Sequence, residues 1–180
     1  NVYHKLNDYI KASGDLAVKL YKEDIEAALR TKDFGGFELL SLSDYTGQST
    51  ATVGILDVFY ESKGLISPDE FKNFAGEAVP LFKAKRIFKN TDTLEAELDL
   101  YDFGEKKINN PVYKLTVQNG EQVFYKTSTT ESKVSIPLNS ITKSTMLSVM
   151  LEVSGYKNTW RIFVFAENKI ENNVRMIKSE

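Results

Sequence analysis

Hydrophobic and polar positions follow two rhythms along this chain, and the change falls near Val79. Before it, apolar residues recur at helical spacing; after it, they alternate with polar ones. Val2, Leu6, Tyr9 and Ile10 allow a helix within Asn1–Gly14. The run from Asp15 to Thr31 is the clearest helix, with Asp15 as a plausible N-cap after Gly14. Leu16, Leu20, Ala27, Ala28 and Leu29 mark its buried stripe, and Lys19, Lys22, Glu23, Glu26 and Arg30 its wet face. Asp33-Phe34-Gly35-Gly36 turns the chain into a short apolar run, Phe37, Leu39, Leu40 and Leu42, which reads as a strand. Helix, glycine turn and strand make the second half of a β/α unit. Val53–Lys63 predicts a further helix with Ile55, Leu56, Val58 and Phe59 apolar, stopped by Gly64. Ser67-Pro68-Asp69-Glu70 is a capping box with proline in the first turn, opening a helix that turns Phe71, Phe74 and Ala75 inward. Pro80 ends the helical half.

Period two then predicts strands near Pro80–Phe88, Leu94–Phe103, Val112–Gln118, Gln122–Lys126, Lys133–Pro137, Met146–Val153 and Asn158–Ala166. Leu94, Ala96, Leu98 and Leu100 alternate with Glu95, Glu97 and Asp99, giving one buried and one wet face. Asn119-Gly120 between two alternating runs is the strongest hairpin signal. Seven short strands over about 90 residues are the signature of an immunoglobulin-like sandwich.

Composition narrows the function classes. The chain has 180 residues, 42% hydrophobic and 27% charged, with a net charge of -2. That is enough for one ordinary domain or two small ones. Its basic residues are scattered among acidic ones, which argues against nucleic acid or an anionic membrane as a partner. Cysteine is absent, excluding disulfides, thiol nucleophiles and zinc–thiolate sites. No apolar run has the length of a membrane-spanning helix and no signal peptide is visible, although the first residue is Asn1, so a targeting segment can lie upstream. His4 is the single histidine, which leaves a histidine metal site or Ser-His-Asp relay without partners; a terminal, exposed residue is expected. The Gly47-Gln48-Ser49-Thr50 loop lacks the glycines, lysine and spacing of a phosphate cradle. No metal or cofactor is implied.

One stretch says more. Gly36, Phe37, Leu39, Leu40, Leu42, Asp44, Gly47, Gln48, Thr50, Val53, Gly54, Ile55, Leu56, Asp57, Phe59, Ser62, Lys63 and Gly64 fit the pattern G-F-Q-L-L-D-L-x-D-F-P-G-Q-G-T-A-x-V-G-I-L-D-x-F-W-D-S-K-G. It resembles the end of the catalytic barrel in glycoside hydrolase family 2 (β-galactosidase, β-glucuronidase and β-mannosidase relatives). Glu38, Tyr45, Thr46, Ser49 and Tyr60 depart from it. Later, Leu94–Gly104 resembles the second strand of the sandwich modules that follow such barrels, and Lys157–Phe165, around the single tryptophan Trp160, their closing strand. The resemblance implies an α+β chain: residues 1–79 as the last α–β–α stage of a partial (β/α)₈ barrel, 80–167 as a seven-stranded antiparallel immunoglobulin-like β-sandwich, and 168–180 as a polar tail. A whole barrel needs about 250 residues, so the chain is expected to be a fragment whose helices expose faces meant for absent strands and can self-associate.

A retaining glycosidase needs two carboxyl groups roughly 5–5.5 Å apart. Glu38 shares a strand side with Leu40 and Leu42, well before the strand's end, and Asp57 and Glu61 stand four apart on the expected second helix, so none suits catalysis. Asp44 and Gln48 lie just past the strand, where α/β folds bind ligands, and are the candidate substrate contacts. Asp44 can meet a sugar hydroxyl or accept the N–H groups of a tight Asp-Tyr-Thr-Gly turn. In the family the catalytic glutamates come from earlier strands; no catalytic pair is expected here. The resemblance thus implies a scaffold and sugar-adjacent loop of a periplasmic or secreted hydrolase of β-linked glycosides, its partners being carbohydrate and the parent's other barrel and sandwich domains. A carbohydrate-binding or adhesion module is the alternative, drawing on Phe124, Tyr125 and Tyr156, with Tyr113 in phase with the core residues Leu115 and Val117. A pure spacer is a third reading.

Overall fold

The computed structural model describes residues 3–47 and 52–167. After a short 3₁₀ turn at Tyr3–Lys5 come helix α1 (Leu6–Arg30), helix α2 (Pro68–Ala75) and strands β1 (Ala78–Lys83), β2 (Ile87–Lys89), β3 (Thr93–Asp102), β4 (Tyr113–Asn119), β5 (Gln122–Thr129), β6 (Lys133–Pro137), β7 (Thr145–Val153) and β8 (Tyr156–Phe165). The class is α+β. The strands form two sheets, ordered β1-β3-β6 and β2-β8-β7-β4-β5. β3–β6 and β4–β5 are antiparallel, whereas β2–β8 is parallel. The expected first strand is two: β1 ends at Lys83, and β2 pairs in the other sheet, with Phe163 N–H donating to Arg86 O at 2.8 Å. Among the described residues eight strands, with the β2–β8 pair parallel, therefore stand where seven antiparallel ones were expected.

The chain forms two compact units that interleave along the sequence. The first joins the residues up to Leu81 with Asp99–Pro111 and Glu152–Asn158; the second holds Phe82–Leu98, Val112–Leu151 and the residues from Thr159 on. The first has a core of Ile25, Leu29, Phe74, Val79 and Leu81, with Ile66, Phe71, Ala75 and Tyr101 packed against it. Phe71 meets Phe74 edge-on at 5.0 Å. The second unit buries Leu94, Leu98, Leu115, Val117, Ile136, Leu138, Leu147, Val149, Leu151 and Ile162 almost completely. Each such side chain contributes about 1.5–3 kcal/mol before conformational entropy is subtracted. Trp160 packs here against Phe82, ring centroids 5.3 Å apart, and Tyr113 is core, as its phase predicts.

The strand half follows its pattern. Leu94, Ala96 and Leu98 are buried while Glu95, Glu97 and Asp99 are exposed. The β4–β5 hairpin closes on Gly120 at φ +56, a backbone region that favours glycine, and Ser154 and Gly155 turn β7 into β8 at φ 51 and 91. The Ser67 capping box of α2 also forms: Glu70 N–H donates to Ser67 Oγ and Ser67 N–H to the Glu70 carboxylate.

The helical half departs from expectation at four places. α1 is one 25-residue helix, so Asp15 lies inside it rather than capping it. Gly14 is there for packing: a Cβ on it would lie 2.2 Å from Leu65 Cδ2. Second, the face of α1 is misread, since Leu16 and Leu20 are each 56% exposed while Glu26 is wholly buried. Third, no strand forms over Phe37–Leu42. A parallel barrel strand takes its hydrogen bonds from neighbours on both sides, whereas here the backbone pairing of the segment is that of Leu42 with Ile55 and Leu56 at its end. Fourth, Val53–Lys63 is not helical; Ser43 bridges Leu56 in parallel and Leu56 bridges Ser62 antiparallel. The described parts of the stretch from Ser43 to Ser62, 43–47 and 52–62, form neither a helix nor a named strand. Asp57 and Glu61 are thus not carried on a helix.

Candidate functional site

The loop is built around Asp44. Ile55 and Leu56 N–H both donate to Leu42 O at 3.1 Å, and Asp44 N–H donates to Leu56 O at 3.1 Å. This close pairing requires glycine at 54, because a Cβ there would stand 2.4 Å from the Ser43 carbonyl carbon and 2.6 Å from Asp44 N. Gly54 N–H donates to Asp44 Oδ1 at 2.9 Å. Lys63 Nζ reaches the same carboxylate at 2.7 Å and also donates to Gly54 O at 3.0 Å. The lysine comes from the far end of the loop, so one ion pair closes nineteen residues of chain. Tyr21 on α1 adds a clamp, its hydroxyl donating to Ser41 O at 3.1 Å and Val53 O at 3.3 Å.

Electrostatics follow from these contacts. The Lys63 hydrogen bond, with the Gly54 N–H and the lysine's charge behind it, holds the Asp44 carboxyl below the usual carboxylate range against some desolvation. Burial, then the Asp44 charge, pushes the Tyr21 phenol above its ordinary value. An ionised carboxylate with its oxygens committed to an ammonium and an amide is a fastener. Asp44 accepts from Gly54 N–H and Lys63, partners outside the Asp-Tyr-Thr-Gly turn expected from the sequence. Gln48 lies outside the described residues.

Asp57 has a similar local duty: its Oδ1 accepts the N–H groups of Phe59 and Glu61 at 2.8 and 2.9 Å, fixing a turn in which Tyr60 takes φ 64. The loop brings Asp44 and Lys63 together. Among the described residues no group of three or more His, Cys, Asp or Glu side chains could hold a metal ion. No helix of the described residues is long and apolar enough to cross a membrane.

Two polar centres went unread in the sequence. Buried Glu26 is ion-paired to Lys22 and, at 3.1 Å, to Arg30, and accepts from Asn158 Nδ2 at 2.8 Å. Asn158 also donates to Pro80 O at 3.0 Å and accepts from Lys22 Nζ at 2.8 Å. Charged residues four apart on a helix ordinarily read as a wet face, so only the asparagine inside an otherwise apolar alternation on β8 hinted at this node. The second centre is Glu77, which accepts the Tyr156 hydroxyl at 2.6 Å. That bond, then desolvation, raises the Tyr156 phenol above its ordinary value. Tyr156, one of the aromatics considered for a sugar face, thus has its hydroxyl engaged. Tyr125 is half-buried opposite Val117 in the β4–β5 ladder.

Comparison with known proteins gives little. The family described as "Domain of unknown function (DUF8488)" matches residues 92–166. No curated protein matches the chain. Among solved structures, the sulfur carrier protein SoxY from Chlorobium limicola f thiosulfatophilum is similar at 11% identity and TM-score 0.29, covering 49% of this chain and 79% of its own. A lipoprotein from Bacteroides thetaiotaomicron is similar at 11% identity and TM-score 0.32, covering 56% of this chain and 89% of its own. Neither overlap is large enough to bear on what the chain does.

Proposed function

We propose that the chain is the C-terminal part of a retaining glycoside hydrolase of the family 2 kind, acting on β-linked glycosides or polysaccharide. In this reading its first 79 residues finish a barrel, its strands make an immunoglobulin-like sandwich, and the catalytic carboxyls belong to the rest of the parent. The observation that carries it joins the Gly36–Gly64 pattern to exposure. Phe37, Leu40, Leu42 and Phe59, all pattern residues, are 42%, 85%, 39% and 78% exposed. A free-standing binding module has no use for apolar side chains so placed, whereas neighbouring barrel strands would cover them. Asp44 accords with a supporting role. A retaining mechanism needs a carboxyl raised in pKa to donate a proton, and Asp44 is shifted the other way.

The parent's remaining barrel and sandwich domains are then the partners of this chain, carbohydrate is reached through the whole protein, and export or a periplasmic place follows. Hydrolysis of nitrophenyl β-glycosides by the 180-residue chain and by the longer product of its gene tests the reading. Turnover by the longer protein alone is expected. Turnover by the short chain, or by neither, would overturn it.

A further inference from the structure

We propose that a cleft in the second compact unit is an oligosaccharide-binding site selective for sugars that carry a carboxylate. It encloses about 420 Å³ between the tip of the β4–β5 hairpin and the loop leading from β6 into β7. Its floor is apolar, made by half-buried Phe124 and by Leu147. Its rim carries the amides of Asn119 and Gln122, the hydroxyl of Thr142 and the ammonium of Lys143. Among the described residues no carboxylate lines it.

The loop is held in place before any ligand arrives. Leu138 and Ile141 are buried anchors, and Ile141 N–H donates to Leu138 O at 3.0 Å. Asn90 Nδ2 donates to Ile141 O at 2.9 Å, and Ser144 Oγ accepts the Ala166 N–H at 3.1 Å. On the hairpin side Asn119 Nδ2 donates to Thr145 Oγ1 at 2.9 Å, joining the two walls. A site fixed this way loses little ordering entropy on binding.

The lining selects a chemistry. A pyranose offers a face of C–H groups and an edge of hydroxyls, each both donor and acceptor; an aromatic floor with an amide and hydroxyl rim matches both. A purely apolar ligand would strip water from the amides without replacing their hydrogen bonds. A nucleic acid would need a row of cations, and among the described residues the rim has Lys143 alone. A cationic sugar would meet Lys143 with no opposing acid, whereas a sugar carboxylate gains a charge-assisted hydrogen bond from it. This gives the sandwich a ligand of its own, beyond a scaffolding role, and stands whether or not the parent is a hydrolase.

The test is titration calorimetry on the full 180-residue chain with galacturonic, glucuronic and mannuronic trisaccharides beside cellotriose. At least one uronic trisaccharide is expected to bind more tightly than cellotriose. Lys143→Ala should weaken that binding about tenfold and remove the preference, in line with a lost charge-assisted bond. Gln122→Ala should weaken acidic and neutral sugars alike. Both positions are exposed, so circular dichroism should show each variant folded. No binding at millimolar sugar, equal binding of the neutral trisaccharide, or binding unchanged in both variants would overturn the proposal.

Discussion

Asp44 and Glu26 are both carboxylates met by a lysine, and they do different work. Asp44 joins positions far apart in sequence and closes a loop. Its carboxyl is held below the usual range, so it is more acidic folded than unfolded. A group of that kind adds stability above its unfolded pKa and loses it as pH falls through the lower, folded value. Urea denaturation of the wild type and Asp44→Asn across pH should therefore show the variant less stable at neutral pH. The gap should close on acidification below the normal aspartate value of about 3.9. A gap that does not vary with pH would remove the ion pair from the account. The sequence marked Asp44 as a residue with a task, but not which task. That depended on Lys63 arriving from the other end of the loop, a meeting no local pattern encodes.

At the scale of elements, α1 shows why a helix face is hard to assign from its own sequence. Ile25 and Leu29 face the core as apolar residues should, yet Glu26 sits beside them fully buried. It is tolerated because Lys22, Arg30 and Asn158 satisfy it. Removing one member of such a set leaves the others desolvated and unmatched, at a cost of about 3–5 kcal/mol. Glu26→Ala should lose stability of that order in chemical denaturation, and Glu26→Gln, which keeps the shape and the bond from Asn158, should lose less. Equal losses would mean that volume, not charge pairing, matters there. By contrast, the start of α2 was legible because capping is a local transaction among four consecutive residues, whereas its end at Ala75 and the strand that takes up Ala78 and Pro80 were not. The β4–β5 hairpin was legible for the same reason, its turn being set by one glycine between alternating runs.

At the scale of the molecule, most of the large exposed apolar side chains lie between Tyr3 and Tyr60, including Leu6, Ile10, Leu16 and Leu20 on α1 and Phe37, Leu40 and Phe59 in the segments beyond it. Such surface is kept from water in stable proteins by a neighbour. The isolated chain should therefore self-associate and bind an apolar dye, measured by sedimentation and fluorescence. Leu16→Glu with Leu20→Glu should move it toward monomer while leaving its helical circular dichroism in place. A native chain that sediments as a monomer and binds no dye would count against the surface having a covering partner.

What the sequence determined by itself is what short-range chemistry controls: the strand half, its alternation and hairpin turn, the α2 cap, and the burial of Tyr113. Each rests on residues within a few positions of one another. The tertiary structure alone decided the fate of Phe37–Leu42 and Val53–Lys63, the buried face of α1, the passage of β2 to the second sheet and the cleft floored by Phe124. A strand exists only if a neighbour takes its hydrogen bonds, a helix face is inner or outer only by what packs on it, and a cleft needs walls from distant segments. Those partners are chosen by the folded chain as a whole.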